Sequence, residues 1–351
     1  MKKLLNKIRR KQTEEGSNRI TSDTIAEHRE QVLAGGRRFK YPLQYARHHL
    51  VITAILIGVG VIALLGGIGY WQLYGAQNTS DFMYRVTRVL PVPVATVDGY
   101  AVRYSDYLTK YRSSIHYLVE KEQLNLATED GQRQSDFVKQ QEMANAVADA
   151  YAEKLAKELD ITVSDAELET FLKAQRSSPD GEISQVTYDA VILDYYGWSP
   201  EEYRHAMTKK LLRQKVAYAV DEQATTTSEA VAALITGGNT NLGDVRSKIN
   251  ANSAYSDVTY VKQGSVPLGN QDGGLSTVAE SLSKGQISGA VKSTTGDGYY
   301  FVKLIDKNST SVNYEYIKVS LTALTAQLTE VIENDGIEYF IVVPDVTTTE
   351  E

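Results

Sequence analysis

The chain has 351 residues, with 37 Lys/Arg against 44 Asp/Glu, a net charge of −7 and no cysteine. Without thiols there are no disulfides, no Cys-ligated zinc and no thiol catalysis, and the acidic balance argues against nucleic-acid binding. Tyr outnumbers Phe by 23 to 6; its flat apolar face and polar tip suit surfaces that hold varied chains, and equally suit ordinary packing.

Residues 1–36 open MKKLLNKIRRKQ and continue polar with little apolar periodicity. They read as a mostly disordered tail with a short amphipathic helix at its start. The basic cluster either touches anionic headgroups or only fixes topology. From Leu50 to Tyr70 the sequence LVITAILIGVGVIALLGGIGY carries no charge. As a helix it spans roughly 30 Å, the thickness of a bilayer's hydrocarbon core, and a lone span in lipid must be a helix to satisfy its own backbone. It is too long and too far from the N-terminus for a signal peptide. Tyr70, Trp71 and Tyr74 mark one interface, and Arg37, Arg38, Lys40, Arg47, His48 and His49 crowd the other. Residues 1–49 hold 12 Lys/Arg and 5 Asp/Glu, whereas 50–351 hold 25 against 39, a balance of −14. The positive-inside rule therefore places the N-terminus in the cytoplasm and the C-terminal domains outside the plasma membrane. Ala54-x-x-x-Gly58 and Ala63-x-x-x-Gly67 permit close helix packing and so allow a homodimer.

Residues 72–93 read as a stalk stiffened by Pro91 and Pro93. An extended piece at 94–97 and the turn Asp98-Gly99 lead into a helix with Tyr104, Leu108, Tyr111 and Ile115 on one stripe. After a polar connection at 120–132, a long helix from about Ser135 to Leu159 is expected to bury Phe137, Ala144, Val147 and Tyr151. Ser164 and Glu167 form a capping box ahead of Leu168, Phe171 and Leu172. A helix near 188–195 stops at Gly197. Ser199-Pro200-Glu201-Glu202 then starts another that runs to about Val220.

Composition then shifts to Thr, Gly, Asn and β-branched residues, with Ala224-Thr-Thr-Thr227 as the boundary. Short helices are expected near 229–235 and 242–249, and strands at 258–261 and 299–305. A helix near 277–282 lies between those strands, followed by an extended piece at 287–291 and a turn at 295–298. A further strand at 312–319 follows a short polar connection and should lie antiparallel to 299–305, which brings Tyr316 to Tyr300. A helix near 322–334 and a strand at 337–343 come last. The 312–319 strand is expected to supply the strand missing ahead of the helix at 229, so that 312–343 either completes the same sheet from the far end of the sequence, a permuted arrangement, or begins a truncated second repeat.

Three motifs in order, VATVDGYAVRYSDYLTKY, ELDITVSDAELETFL and YYGWSPEEYRHAMTKKLLRQKV, resemble the helical N-terminal chaperone domain of SurA and PrsA-type foldases. Asp98 stands where Asn is usual in that family, and Tyr203 where Phe is usual. The run AESLSKGQISGAVKSTTGDGYYFVKLIDK resembles the C-terminal half of a parvulin-type peptidyl-prolyl isomerase, matching it at Leu282, Gly285, Ile287, Ser288, Val291, Gly298, Tyr299 and Lys303. Gln286 and Ala290 depart from the family's Glu and Pro. Tyr300 stands at its second active-site His, and Tyr316 falls at the first.

The two resemblances imply an α+β protein. A cytoplasmic basic tail (1–49) and a single transmembrane helix (50–71) precede the stalk (72–93). Then come an all-α SurA-like domain (94–222), a small α+β parvulin-like domain (223–343), permuted if 312–343 completes its sheet, and a disordered tail (344–351). They imply a membrane-anchored extracytoplasmic chaperone or foldase with unfolded or nascent secreted polypeptides as partners, the bilayer contacted through Leu50 to Tyr70, and no nucleic acid. Rotation about an X–Pro bond breaks no bond, but it needs an apolar pocket and polar groups that favour the twisted amide. The five His residues, at 28, 48, 49, 116 and 205, all lie outside the parvulin-like region, so the family's His pair is missing. Tyr300 and Tyr316 are the candidate catalytic residues, and two further readings stay open: a working isomerase and a non-catalytic envelope adaptor. Tyr195, Tyr196, Trp198, Tyr203, Met207 and Tyr260 are the candidate peptide-binding residues. No cofactor or metal is implied: Asp272-Gly273-Gly274 has too few oxygen ligands around it for calcium, and no P-loop, G-x-S-x-G or H-E-x-x-H is present.

Overall fold

A computed structural model describes residues 22–40, 42–178 and 181–345. The start of the tail and its expected short helix lie outside these residues, as does most of the expected C-terminal tail. The described chain divides after Gln72 into two compact units, and the fold class is α+β.

The first unit is helical. Helix α1 (Ser22–Lys40) occupies a stretch whose polarity suggested disorder, and Asp23 lies in its first turn, where the helix dipole favours an acid. Helix α2 (Pro42–Tyr70) passes into a π-helical turn at Trp71–Gly75. The helical stretch His49–Gly75 is long and apolar enough to cross a membrane, with nothing buried over its apolar window.

The second unit begins at Leu73. The expected stalk is instead folded: α3 (Asp81–Val89) starts on Ser80, whose hydroxyl accepts from the Met83 amide, and buries Met83, Tyr84 and Thr87. Strands β1 (Pro93–Val97) and β2 (Tyr100–Arg103) form a hairpin around the left-handed Asp98 and Gly99. Helices α4 (Tyr104–Glu120) and α5 (Glu129–Glu158) pack on it. Helix α5 starts earlier than its apolar pattern suggested because Thr128 caps it, accepting from the Gly131 amide at 3.1 Å. Its buried stripe is Val138, Met143, Ala146, Val147, Ala150 and Tyr151, so Phe137 and Ala144 face solvent instead.

Helices α6 (Asp165–Gln175), α7 (Gln185–Tyr196) and α8 (Pro200–Val220) share a second core of Leu168, Leu172, Ile192 and Tyr203. Both α6 and α8 begin with the reciprocal Ser/Glu capping boxes expected at Ser164/Glu167 and Ser199/Glu202, and Gly197 ends α7 in the left-handed conformation. The 177–181 loop is a minimal hairpin of β3 (Ser177–Ser178) and β4 (Gly181–Glu182).

The expected boundary at 224–227 is not a linker. It lies inside α9 (Glu222–Thr236), which Asp221 caps through the Ala224 amide. Beyond α10 (Leu242–Asn250), strands β5 (Val258–Pro267), β6 (Val291–Lys292), β7 (Gly298–Lys307) and β8 (Ser311–Ser320) form one sheet in the order β5-β8-β7-β6. Helices α9 and α10 cover one face through Phe301, Ile317 and Val319, while α11 (Leu275–Ser281) covers the other through Val302, Leu304 and Tyr314. The expected antiparallel pairing of 299–305 with 312–319 is present, Val302 lying opposite Tyr316. A Cβ on Gly298 would come within 2.4 Å of the Val319 carbonyl oxygen, which accounts for glycine at this position.

The chain's last elements do not join this sheet. After α12 (Ala323–Glu333), strand β9 (Ile337–Tyr339) pairs antiparallel with β1, giving the order β2-β1-β9. Leu324, Leu328, Val331 and Ile337 pack into the core of α4, α5 and the first hairpin. Completion of the sheet by 312–343 therefore holds for the 312–319 strand, which lies between β5 and β7, whereas the strand at 337–339 pairs with β1 and joins neither that sheet nor a second repeat. The four-stranded sheet is thus inserted between the two parts of the helical core.

Candidate functional site

Alternation along β7 and β8 puts Tyr300, Tyr314, Tyr316 and Lys318 on the α11 face. The Tyr300 and Tyr316 rings lie 5.4 Å apart between centroids, and Tyr314 to Tyr316 is 6.2 Å. The pair expected from sequence therefore meets, in a setting the sequence did not reveal. Tyr300 donates its hydroxyl to Asp297 Oδ2 at 2.9 Å, and Tyr314 donates to Asp272 Oδ2 at 2.6 Å. Asp297 also accepts from the Ser293 and Thr295 hydroxyls, each at 2.6 Å, and from Lys318 Nζ at 2.5 Å. Burial alone would raise the Asp297 carboxyl, but these donors outweigh it and hold it well below the usual range. Burial and the neighbouring carboxylates push the Tyr300 and Tyr314 phenols far up, and burial also raises Tyr316. Tyr300 and Tyr314 are thus held as protonated hydrogen-bond donors near neutral pH.

The Thr295-Gly296-Asp297-Gly298 turn, legible only as a turn, supplies the hub of this network. Asp272, weighed against calcium, instead accepts from the Ser276 amide and hydroxyl at the start of α11. Among the described residues no group of three His, Asp or Glu could hold a metal ion.

A second feature lies in the helical core. Between α4 and α5 a cleft of about 650 Å³ is lined by Tyr117, Leu118, Phe137 and Val138, with Tyr196 and Trp198 at its side. Tyr196 stacks on Trp198 at 5.3 Å, and Trp198 Nε1 donates to the Thr109 carbonyl at 3.2 Å, which fixes the indole. Tyr195 stacks on Tyr117 at 6.4 Å, with Lys121 over its ring. Phe137 is 47% exposed, a large apolar side chain left open on a helix otherwise patterned for solvent on that side. Gln134, Gln141 and Glu142 supply a polar rim.

Of the six candidate peptide-binding residues, Tyr196 and Trp198 line the cleft, and Tyr195 joins it through the Tyr117 ring. Tyr203 is buried beneath, sharing a 2.7 Å hydroxyl contact with Tyr188, and Met207 packs beside it; both are core residues of α6, α7 and α8. Tyr260 is remote from Tyr300, on the opposite face of the sheet, where it donates to Glu315 at 2.7 Å. Sequence reading missed Phe137 and Tyr117. The apolar pattern puts Phe137 nearer the buried stripe than Val138, so nothing local marks it as the open residue.

Residues 43–217 match the family model of the SurA-like N-terminal domain. The match takes in α2 through most of α8, and it reaches back across residues 72–93, in keeping with their being folded. The cleft lies wholly inside the SurA-like segment, whereas the tyrosine network on the four-stranded sheet lies outside it. No curated protein and no solved structure matches the chain.

Proposed function

We propose that this protein is a membrane-anchored extracytoplasmic chaperone that holds unfolded secreted or envelope polypeptides in the α4–α5 cleft of its SurA-like segment. The observation that carries this reading is the open, aromatic-lined cleft within the matched region. Burial of client side chains against Phe137, Tyr196 and Trp198 provides weak, broad, sequence-tolerant affinity, with polar groups only at the rim. The apolar helix anchors the protein in the plasma membrane, and the basic tail stays in the cytoplasm. The test is aggregation of an unfolded client in the presence of the full-length protein in nanodiscs. Suppression at a few-fold molar excess is expected, and none at all would overturn the reading. Protease added outside intact cells should remove the C-terminal domains and spare the basic tail.

The inserted sheet is parvulin-like and non-catalytic in this reading, a second binding surface or spacer. The juxtaposition of Tyr300 and Tyr316 at the family's His positions favours one alternative, a working isomerase. A protease-coupled assay on an X–Pro peptide separates the two: a rate equal to buffer is expected, and a clear acceleration would establish the alternative.

A further inference from the structure

Helix α3 is apolar on two sides. Met83 and Tyr84 point into the core, while Phe82 and Val89, two turns apart and so on one side of the helix, are 72% and 81% exposed. Leu90 follows at 53%. Between them stands Arg85, exposed and without a hydrogen-bond or carboxylate partner among the described residues. Val342, 76% exposed, is held to the segment just before α3, its carbonyl accepting from Gln77 Nε2 at 3.2 Å. A folded unit rarely leaves so many large apolar side chains open in one region without a partner.

The partner follows from where α3 lies in the chain. Leu73, in the last turn of the apolar stretch His49–Gly75, is buried in the same core as Met83 and Tyr84. That last turn is fixed by Tyr104, whose hydroxyl donates to the Leu73 carbonyl at 2.8 Å, and by Tyr74, whose hydroxyl donates to the Pro93 carbonyl at 2.6 Å. Phe82 lies seven positions beyond Gly75, a reach of at most roughly 25 Å. Along the chain, α3 therefore begins within a few residues of the end of the apolar stretch. Apolar side chains flanking a free arginine are the signature of a helix lying in the headgroup layer, where the apolar groups enter the acyl boundary and the cation meets anionic phosphates.

We propose that the outward face of α3 (Phe82, Arg85 and Val89, continued by Leu90), together with Val342, docks on the outer surface of an anionic lipid bilayer. The proposal rests on the membrane-anchored reading given above. It adds that the folded unit is seated on the membrane and does not sway above it.

The chain has no cysteine, so a single introduced thiol can be labelled uniquely. Phe82→Cys, Val89→Cys and Val342→Cys, each carrying an NBD fluorophore, are compared with Glu229→Cys on α9 in the full-length protein. The protein is reconstituted in nanodiscs of phosphatidylcholine with phosphatidylglycerol. The expected result is blue-shifted emission at 82, 89 and 342, quenched several-fold more strongly by doxyl-labelled lipid than at 229. Arg85→Glu should weaken that quenching, as should replacing phosphatidylglycerol by phosphatidylcholine. Water-like emission equal to that at 229, in protein that has entered the nanodiscs, overturns the docking and leaves the anchor standing. A blue shift without quenching by doxyl lipid identifies a second protein copy as the partner and also overturns it. Failure of the chain to enter nanodiscs overturns both readings.

Discussion

Ile337 lies opposite Val97 in an antiparallel pair, so the last strand of the chain completes a sheet begun by the first. The Asp98 amide donates to the Gly336 carbonyl at 2.7 Å and the Phe340 amide to the Val94 carbonyl at 3.0 Å, closing the strand at both ends. The helical core therefore depends on residues beyond the inserted sheet.

Deleting residues 322–351 tests this dependence. It removes the buried Ile341 from the helical core, at about 1.5–3 kcal/mol, together with the partly buried Leu324, Leu328, Val331 and Ile337, each of which contributes less. Amide hydrogen exchange should rise sharply in β1 and β2 and change little in β7 and β8, whose ladder is complete without the tail. The reverse pattern would mean that the C-terminal elements support the four-stranded sheet.

Asp221 joins two helix starts. Its Oδ1 accepts from the Ala224 amide at 2.8 Å, and its Oδ2 accepts from the Thr322 and Ala323 amides at 2.7 and 3.0 Å, in a buried position. Asp221→Ala should destabilise the folded unit by about 2–4 kcal/mol, since three amides lose their acceptor. Asp221→Asn keeps one acceptor oxygen and should cost less. Urea unfolding followed by intrinsic fluorescence measures both, and equal losses would show that only the carboxylate's charge matters.

Acid should weaken the α4–α8 contact through Asp106. This carboxylate contacts His205 Nε2 at 3.3 Å, accepts from Lys209 Nζ at 2.8 Å, and Lys209 also bonds Glu153. Burial alone would raise the Asp106 carboxyl, but the His205 hydrogen bond and the Lys209 charge outweigh it and bring it down to about 2 from 3.8. The folded pKa is depressed, so on acidification the unfolded chain takes up this proton first. The stabilisation is complete above the unfolded value and is lost as pH falls through about 4 to about 2, a change of about 2 kcal/mol. The stability difference between the natural protein and Asp106→Asn should shrink by that amount across this window, and a constant difference would remove Asp106 from the acid response.

Packing and client contact separate at Tyr203 and Phe137. Tyr203→Phe deletes the hydroxyl shared with Tyr188 and should cost about 1 kcal/mol of stability, with aggregation suppression intact. Phe137→Glu should leave stability within about 0.5 kcal/mol, because the side chain is already half open, and should weaken suppression. If Tyr203→Phe alone reduced suppression, the peptide contact would lie at the α6–α8 core and not in the cleft.

What the sequence determined by itself is what a few neighbouring residues can settle. The capping boxes at Ser164/Glu167 and Ser199/Glu202, the stop at Gly197, the uncharged stretch after His49 and the hairpin joining β7 to β8 all rest on hydrogen bonds or apolar runs within one element or one short turn. That Tyr316 would approach Tyr300 followed from that hairpin taken with the family resemblance, whereas the register itself, with its shift between Leu304 and Asp306, came from the structure. The tertiary structure decided the rest. Whether Phe137 or Val138 faces inward depends on how α5 is rotated against α4 and the first hairpin. Tyr203 is core because α7 closes over it, and Asp297 becomes a hub because Lys318 arrives from the next strand. The strand at 337–339 belongs to β1 because that edge offers unpaired backbone groups beside an apolar core, at a separation in sequence over which no local pattern carries information.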